Sequence, residues 1–358
     1  MEPATRDALR LSVLEIRSLT TVFGPNPARA LRSLRSGASD EQIAASGHVI
    51  ALRDINLRIC EGEIFVLMGP SGSGKSTLVR HCNRLIAQTD GQVLVQGLDL
   101  ATQSPSALRA LRRTQISMVF QAFGLLPHRT VLDNVAFGLE LQGLAVRERR
   151  ARAMTIIEQV GLEGWELRMP AELSGGMRQR VGLARALCVE TPIVLMDEPF
   201  AALDPVIREL LQNDLLELQR RFGKTFVFIT HDVDEAIRLG SRIGILDKGR
   251  LLQVGTPLEI ILNPVSPTVA GFVRHVNRSR AIPLSAAIEP RAGDDRRPPS
   301  ERSVEERSVD LLLDAQQPLE DVLPHLLVST NRVGIQQDGQ FLGLVSRQRV
   351  SELLRGPG

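Results

Sequence analysis

The sequence predicts an α/β fold with a largely parallel sheet, and three observations support this prediction. Short apolar runs at 63–68, 116–120, 192–196 and 225–230 have the length and composition of strands buried on both faces. Segments with helical spacing lie between these runs, as in βαβ units. A glycine-rich loop joins the first run to a helical segment, and polar residues follow the other three. We therefore expect a ligand site at the carboxyl edge of the sheet.

Length and composition indicate a soluble chain with about two domains. Of its 358 residues, 43% are hydrophobic and 23% charged, so neither disorder nor a membrane span dominates. No apolar run approaches the roughly 18 residues of a transmembrane helix, and we expect no export signal. The 43 basic and 41 acidic residues leave a net charge of +2, which argues against a nucleic-acid partner. Cys60, Cys82 and Cys188 lack metal-ligand spacing, so we expect packing residues in a reducing compartment.

Residues 69–76 have the G-x-x-x-x-G-K-[ST] spacing of a phosphate-binding loop. Glycines let backbone N–H groups converge on phosphate oxygens at the positive end of the next helix. Lys75 then reaches the β and γ phosphates, and Ser76 offers its hydroxyl to Mg²⁺. The alternative, a glycine-rich turn that binds nothing, is disfavoured by the flanking strand and helix. The residues expected to bind the nucleotide here are Gly69, Pro70, Ser71, Gly72, Ser73, Gly74, Lys75, Ser76 and Thr77.

The N-terminal region is predicted to form a small antiparallel layer that contains a helical insertion. Strands at 11–21 and 50–60 flank residues 24–47, where arginine-rich helical spacing precedes a helix start signal at Ser39. The basic face of this insertion could meet anionic lipid or a protein partner. A solvated surface is the more ordinary role for such charges.

An adenine ring usually needs an aromatic platform, and the N-terminal layer offers few candidates. Phe23 is the only Phe, Tyr or Trp before Phe65, which makes it the first candidate for stacking. His48 is a second candidate. The alternative for Phe23 is simple packing within the small β-layer.

A polar amide, Gln121, follows the strand at 116–120, at the edge where doubly wound sheets bind ligands. Apolar residues 122–128 come next without periodicity, and they either dock another protein or face the core. Helices are then predicted at about 131–142 and 146–160. These segments belong to a helical subdomain that we expect over about 122–180.

Two later helices have clear start signals. Ser174 stands at an N-cap position, and Gly175 and Gly176 expose backbone N–H groups at a second anion-binding helix end. About a hundred residues separate the two anion-binding helix starts, and one phosphate chain seldom needs both from the same fold. Asp204 followed by Pro205 predicts the start of another helix.

Acidic residues and a histidine end the two remaining buried strands. Asp197 could hold Mg²⁺ through water, and Glu198 could orient and deprotonate a water for attack on the γ phosphate. His231 could donate a hydrogen bond to the same phosphate. The alternatives are acidic turn residues and a structural histidine, which the preceding phosphate loop disfavours.

The remaining chain divides into a domain end, a linker and a small unit. A hairpin over 242–255 and a short helix close a first domain that spans 1–277. Residues 278–308 are rich in Pro, Arg, Asp, Glu and Ser, which predicts a linker. Residues 309–358 show an order of strand, helix, strand, turn, strand and helix, which predicts a small α+β unit.

Taken in chain order, these motifs resemble the nucleotide-binding subunit of ABC transporters. The resemblance depends on GPSGSGKS as Walker A, Gln121 as the Q-loop, IVLMDE as Walker B, the segment ending at Asp204 as the D-loop and His231 as the switch histidine. Its signature motif would be Leu173, Ser174, Gly175, Gly176 and Met177. The insertion and the stretches LVRHCNRLI and MVFQAFGLLPHRTVLDNVAFGLEL are similar to the ATPases of glycine betaine, proline or choline importers.

The resemblance implies a P-loop ABC ATPase fold with an antiparallel β-subdomain and a helical subdomain. ATP and Mg²⁺ would be the cofactors, and two copies would bind head to tail, each signature motif facing the other copy's ATP. Partners would be transmembrane permease subunits and, through them, a substrate-binding protein, with this chain peripheral at the cytoplasmic face of the inner membrane. Catalytic residues would be Lys75, Gln121, Glu198 and His231, ATP contacts would add Phe23, and metal ligands would be Ser76, Gln121 and, through water, Asp197.

Three features depart from the family pattern. Met177 replaces the usual Gln of the signature, and Ala201 replaces the usual Ser of the D-loop. Residues 309–358 resemble one CBS repeat where related ATPases often carry two, so this unit either pairs with a second copy's tail to sense nucleotide or ionic strength, or is vestigial. The alternatives to osmolyte import are an importer ATPase for another small solute, a non-transport ABC ATPase, and an inert regulatory module.

Overall fold

The structure is a computed structural model that describes residues 11–120, 124–201, 203–288, 309, 311–328 and 333–355. Contacts divide the chain into two compact units, Met1–Val254 and Gly255–Gly358. Within the described ranges, no helix combines the length and apolarity that a membrane crossing requires.

The first unit contains two sheets. Its strands are β1 (Ser12–Phe23), β2 (Val49–Cys60), β3 (Ile64–Met68), β4 (Asp90–Val95), β5 (Leu98–Asp99), β6 (Ile116–Val119), β7 (Ile193–Asp197), β8 (Thr225–Thr230), β9 (Arg242–Asp247) and β10 (Arg250–Gly255). One sheet has the antiparallel order β2-β1-β4-β5, and the other has the order β10-β9-β3-β8-β7-β6, with β9 to β6 parallel. Residues 90–99 form two strands, β4 and β5, because Gln96 and Gly97 both have positive φ and reverse the chain.

Helices connect and cover these strands. They are α1 (Pro27–Arg35), α2 (Asp40–Ala45), α3 (Lys75–Cys82), α4 (Pro105–Thr114), α5 (Val131–Leu141), α6 (Val146–Gln159), α7 (Gly175–Cys188), α8 (Pro205–Phe222) and α9 (Val233–Leu239). Ser104, Ser174 and Asp204 accept hydrogen bonds from N–H groups in the first turns of α4, α7 and α8. The sequence analysis missed α4, although Ser104 and Pro105 are its start signal.

The core explains where the phosphate loop lies. Every residue of β3, β7 and β8 is buried, as expected for parallel strands covered on both faces. One apolar cluster joins Leu14 and Ile55 of the antiparallel sheet to Phe65 and Ile229 of the parallel sheet, with Leu78 of α3 between them. The loop between β3 and α3 is therefore held at the meeting point of two sheets.

Two smaller clusters define the other parts of this unit. Val135, Ile157 and Val181 belong to a separate core that packs α5, α6 and α7 together as a helical subdomain. Ala30 of α1 and Ile43 of α2 pack on Val22 of β1, which attaches the helices between residues 24 and 47 to the antiparallel sheet. The three cysteines are free thiols and are all buried.

The second unit contains a three-stranded sheet and short helices. These elements are α10 (Pro257–Leu262), α11 (Pro267–Val273), α12 (Arg278–Ala281), β11 (Leu311–Asp314), α13 (Leu323–Val328), β12 (Val333–Gln337), β13 (Gln340–Val345) and α14 (Arg347–Arg355). Strand β12 lies between β11, which is parallel to it, and β13, which is antiparallel.

The start of the predicted linker is folded. Arg278 donates hydrogen bonds of 3.2 Å to Ile261 O and to Leu353 O, so α12 connects α10 to α14. These bonds explain why the second unit begins at Gly255 and not after residue 277. The later part of the predicted linker, residues 289–308, lies outside the described residues.

Candidate functional site

The loop at 69–74 can be built only with glycine at two positions. Gly69 has φ +151° and Gly74 has φ +105°, values that residues with a Cβ rarely adopt. A Cβ on Gly69 would overlap Leu246 O, and one on Gly74 would lie 2.6 Å from Ala51 O. Since Gly74 has no side chain to cap α3, the N–H groups of the first turn are left for an outside acceptor such as a phosphate.

Lys75 folds back over this loop. Its Nζ donates hydrogen bonds to Gly69 O (2.8 Å) and Pro70 O (2.9 Å), and the residue is only 5% exposed. Burial lowers the pKa of Lys75, while the charges of Glu198 and Asp197 act in the opposite direction. A bound phosphate would supply the negative charge that favours this partly desolvated ammonium group.

Ser76 and Asp197 form a pair of oxygen donors beside the loop. Ser76 Oγ donates to Asp197 Oδ1 over 2.8 Å, and Asp197 is 1% exposed at the end of β7. Arg80 Nη2 lies 3.6 Å from Asp197 Oδ2. Hydroxyl and carboxylate oxygens are the ligands that Mg²⁺ prefers, so the donor set fits this ion.

Glu198 and His231 form a second pair. Nδ1 of His231 lies 3.3 Å from Glu198 Oε2, and the histidine side chain is 55% exposed. Glu198 has φ +46°, a left-handed conformation that residues other than glycine adopt at a cost. Glu198 can accept a hydrogen bond from a water on one side and from the Nδ1–H group of His231 on the other.

A cleft of about 720 Å³ extends from the phosphate loop to the helical insertion. Glu198 lines it together with loop and α3 residues Ser71, Gly72, Gly74, Lys75, Ser76 and Thr77. Gly69, Pro70 and Ser73 are not among its lining residues. They build the loop instead, because Gly69 and Pro70 bind Lys75 and Ser73 O accepts from Gly249 N (3.0 Å).

The structure brings His48, and not Phe23, to this cleft. Phe23 ends β1 opposite Val49, is 43% exposed and is not a lining residue of the cleft. The His48 ring is fixed: Nε2 accepts from Asn26 N (3.1 Å), which leaves Nδ1 to donate to Ser46 Oγ (2.9 Å). The second aromatic candidate is therefore the better placed of the two.

Three charged residues that line the cleft were not predicted from the sequence. Asp40 and Glu41 of α2 line the cleft, and so does Lys248 in the turn between β9 and β10. Lys248 could have been singled out from the sequence, because it is one of only three lysines in a chain whose other strongly basic residues are all arginine. The acidic residues were interpreted only as part of a helix start, which Ser39 does cap.

The signature and D-loop residues lie elsewhere. Ser174 Oγ accepts from Met177 N (3.3 Å) at the start of α7, and Asp204 Oδ1 accepts from two N–H groups at the start of α8. A Cβ on Gly176 would lie 2.7 Å from Ile207 Cγ2, so the two helix starts are packed together. None of residues 173–177 lines the cleft, and Gln121 lies outside the described residues.

Comparisons of the sequence with known proteins identify the family of the chain. A sequence profile of the ABC transporter family matches residues 52–201. The glycine betaine/proline betaine transport system ATP-binding protein ProV of Salmonella typhimurium is 53% identical over 270 residues, which are 75% of this chain and 68% of that one. The trimethylamine N-oxide transport system ATP-binding protein TmoW of Ruegeria pomeroyi is 44% identical over 349 residues, or 96% of this chain and 97% of that one.

A solved structure gives the same result for the fold. A chain described as the dimeric structure of MJ0796, a bacterial ABC transporter cassette, superposes with a TM-score of 0.58 and 34% identity, over 68% of this chain and 98% of that one. The expected P-loop ABC ATPase fold is thereby confirmed. The chain therefore belongs to the ABC transporter family, as an ATP-binding subunit that hydrolyses ATP.

Proposed function

We propose that this subunit energises a membrane importer for glycine betaine, proline or choline-type osmolytes. The observation that carries the hydrolytic part is that Lys75, Ser76 and Glu198 line one cleft. Asp197 accepts a hydrogen bond from Ser76, and His231 lies 3.3 Å from Glu198. The 53% identical relative, named for glycine betaine and proline betaine transport, supports the solute class.

Trimethylamine N-oxide is the second candidate solute. The relative named for its transport aligns over 96% of this chain, whereas the betaine relative aligns over 75%. Both solutes are small and dipolar and carry a fully substituted nitrogen. One class of binding site in the partner chains could therefore accept either solute.

In the proposed reaction, Lys75 binds the β and γ phosphates and Glu198 accepts the proton of the attacking water. The water oxygen bonds to the γ phosphorus as the bond to the bridging oxygen breaks, and ADP leaves with that electron pair. His231 donates to a γ oxygen. Mg²⁺, held by Ser76, by Gln121 and through water by Asp197, would neutralise charge on the phosphates.

The active unit is proposed to be a head-to-tail dimer. No residue of the signature motif lines its own chain's cleft, although Ser174, Gly175 and Gly176 form an anion-binding helix start. A second copy would bring that helix start to the ATP of the first, with Asp204 nearby in the seam. The similar MJ0796 cassette is described as dimeric, which supports this arrangement.

Mixing two inactive variants tests the shared cleft. Lys75→Ala removes the phosphate cation, and Ser174→Arg blocks the signature surface. In a mixed head-to-tail dimer, one cleft carries both lesions and the other carries none, so mixing should restore ATPase activity that neither variant has alone. If mixtures stay inactive while both variants remain folded and dimerise, the composite cleft is wrong.

The remaining partners would be permease subunits and, through them, a substrate-binding protein, with this chain peripheral at the cytoplasmic face of the inner membrane. Cells that lack the chain and receive either the wild type or Lys75→Ala test this role. The wild type should restore uptake of radiolabelled glycine betaine or trimethylamine N-oxide, and Lys75→Ala should not. Restoration of uptake by Lys75→Ala would contradict the proposed role.

The small C-terminal unit is proposed to be a CBS-like regulatory module that pairs with its counterpart in the second copy. Its support is the β11-β12-β13 sheet and an apolar groove of about 270 Å³ lined by Leu323, Leu326, Val350 and Leu354. Leu354→Glu would place a charge in this groove. It should remove the dependence of transport on ionic strength while leaving basal ATPase activity unchanged, and an unaltered dependence would argue for a vestigial unit.

A further inference from the structure

Arg208 in α8 joins two loops on either side of the Glu198–His231 pair. Its Nη2 donates to Leu203 O over 3.3 Å, within the D-loop segment that precedes α8. Its Nη1 donates to Asp232 Oδ2 over 3.1 Å, at the residue that follows His231. One planar guanidinium group thus holds both segments, and Glu198, Ala201, Arg208 and His231 line the same small cavity.

The turn that carries His231 is organised around this contact. The two carboxylate oxygens of Asp232 have different partners. Oδ1 accepts from Asp234 N (2.9 Å) and Glu235 N (3.3 Å) and so caps α9, and Oδ2 accepts from Arg208. Asp232 N donates to Thr230 Oγ1 (2.9 Å), and Thr230 Oγ1 donates to buried Glu235 Oε2 (2.6 Å). The backbone on both sides of the histidine is therefore held.

Arg208 also contacts the buried end of this network. Its Nε lies 3.6 Å from Glu235 Oε1, and Gln212 Nε2, one turn later in α8, donates to the same oxygen over 3.3 Å. The planar guanidinium group of arginine donates hydrogen bonds in fixed directions. Bonds from it to two separate acceptors therefore fix the orientation of one acceptor relative to the other, which a single ammonium group cannot do. The half-exposed His231 side chain depends on such a support for its 3.3 Å contact with Glu198.

We propose that Arg208 is a positioning residue that links His231 to the D-loop. The contact between two copies at the D-loop thereby determines the position of the His231 side chain relative to Glu198. This inference rests on the proposed function, because it assigns His231 a role in hydrolysis and the D-loop a place in the seam. It adds the link between them, a residue bonded both to the D-loop segment and to the turn after His231.

Steady-state kinetics of the full-length chain test this link. Arg208→Gln should lower kcat about tenfold or more and leave KM for ATP within about twofold, since the residue acts after binding. Arg208→Lys should recover little, because one ammonium group cannot make both bonds. The matched control is Arg238→Gln, which removes another arginine between α8 and α9, bound to Glu209 (3.2 Å) and Asn213 (2.9 Å), and should change neither constant.

A double-mutant cycle with His231→Ala separates positioning from general destabilisation. If Arg208 acts through His231, adding Arg208→Gln to His231→Ala should lower single-turnover hydrolysis by less than about threefold. A full, multiplicative loss would overturn the inference and leave the proposed function standing. Normal turnover in His231→Ala alone would overturn the histidine assignment, and the inference with it.

Asp232→Asn provides a second variant in case Arg208→Gln does not fold. The side-chain oxygen that remains can still cap α9, whereas the new amide group cannot accept from Arg208. We expect the same loss of kcat with unchanged KM as for Arg208→Gln. Wild-type kcat in a folded Asp232→Asn would contradict the link.

Discussion

Ser76 Oγ and Asp197 Oδ1 are joined by a 2.8 Å hydrogen bond although 121 residues separate them in the chain. Ser76 is in the first turn of α3 after β3, and Asp197 ends β7, with β8 between the two strands. The parallel order of the sheet brings them together at its carboxyl edge. This edge is where a divalent ion would meet the phosphates that Lys75 is proposed to bind.

Removing the Ser76 hydroxyl group should weaken metal binding more than nucleotide binding. Ser76→Ala deletes one oxygen of the pair, so we expect the Mg²⁺ concentration for half-maximal ATPase activity to rise about tenfold or more. ATPase rates over a series of free Mg²⁺ concentrations measure this change. Ser71→Ala is the control, as an exposed serine of the same loop. Equal Mg²⁺ requirements in both variants would contradict the metal role.

Lys248 should contribute to nucleotide capture and little to the chemical step. It lines the cleft in the turn that is bonded to the phosphate loop through Gly249 N and Ser73 O, and a cation in a cleft wall attracts a triphosphate over several ångströms. Lys248→Ala should raise KM for ATP by a few-fold with kcat nearly unchanged, and the effect should shrink at high salt. Lys248→Arg should retain the wild-type KM. A drop in kcat without a change in KM would assign the residue a different role.

His48 should matter more than Phe23 for adenine binding. His48→Gln removes the ring while leaving polar groups for its neighbours, so we expect ATP affinity to fall about three- to tenfold, the usual worth of one aromatic contact. Phe23→Leu should change affinity little, because Phe23 does not line the cleft. Titration with a fluorescent ATP analogue compares the two variants directly. The reverse order of effects would restore Phe23 as the adenine platform.

Buried His81 predicts a pH dependence of stability. Its Nε2 is 2.8 Å from Thr21 Oγ1, and burial lowers the pKa of His81 from 6.5 to about 4. Between these values the unfolded chain binds a proton that the folded chain does not, so the free energy of unfolding should fall as pH falls from 6.5 to 4. The full contribution is about 3 kcal/mol.

Denaturant unfolding at several pH values tests the His81 prediction. His81→Gln should show a flatter profile between pH 6.5 and 4, whereas His128→Gln, which removes an exposed histidine, should match the wild type. Parallel profiles for His81→Gln and the wild type would show that this histidine does not control acid stability.

The sequence predicts those parts of the molecule that depend on residues adjacent in the chain. Buried strands such as β7, the loop at 69–74 and the caps at Ser174 and Asp204 are visible because composition and short spacing determine them. The parallel sheet then explains why residues that follow different strands meet at one edge. Gln121 remains a prediction, since it lies outside the described residues.

Contacts between distant segments could not be predicted in the same way. Whether Phe23 or His48 faces the cleft depends on where β1 ends and how α2 packs against it, and neither is encoded in local spacing. Arg208 looks like an ordinary helix-surface arginine until the turn after β8 is placed beside α8. The fold of residues 278–288 was missed because the composition was taken over 278–308 as a whole, where the polar residues and prolines of the later part outweigh the apolar start.

The central claim is that Glu198 activates the water that cleaves ATP held between two copies. Glu198→Gln keeps the shape and removes the base, so turnover should fall by about 10² to 10⁴ while ATP still binds. The most direct measurement is the turnover of this variant with Mg²⁺ and ATP, together with its mass in solution by light scattering. We expect a nearly inactive protein that accumulates as an ATP-bound dimer, and normal turnover or a monomer with bound ATP would contradict the role of Glu198.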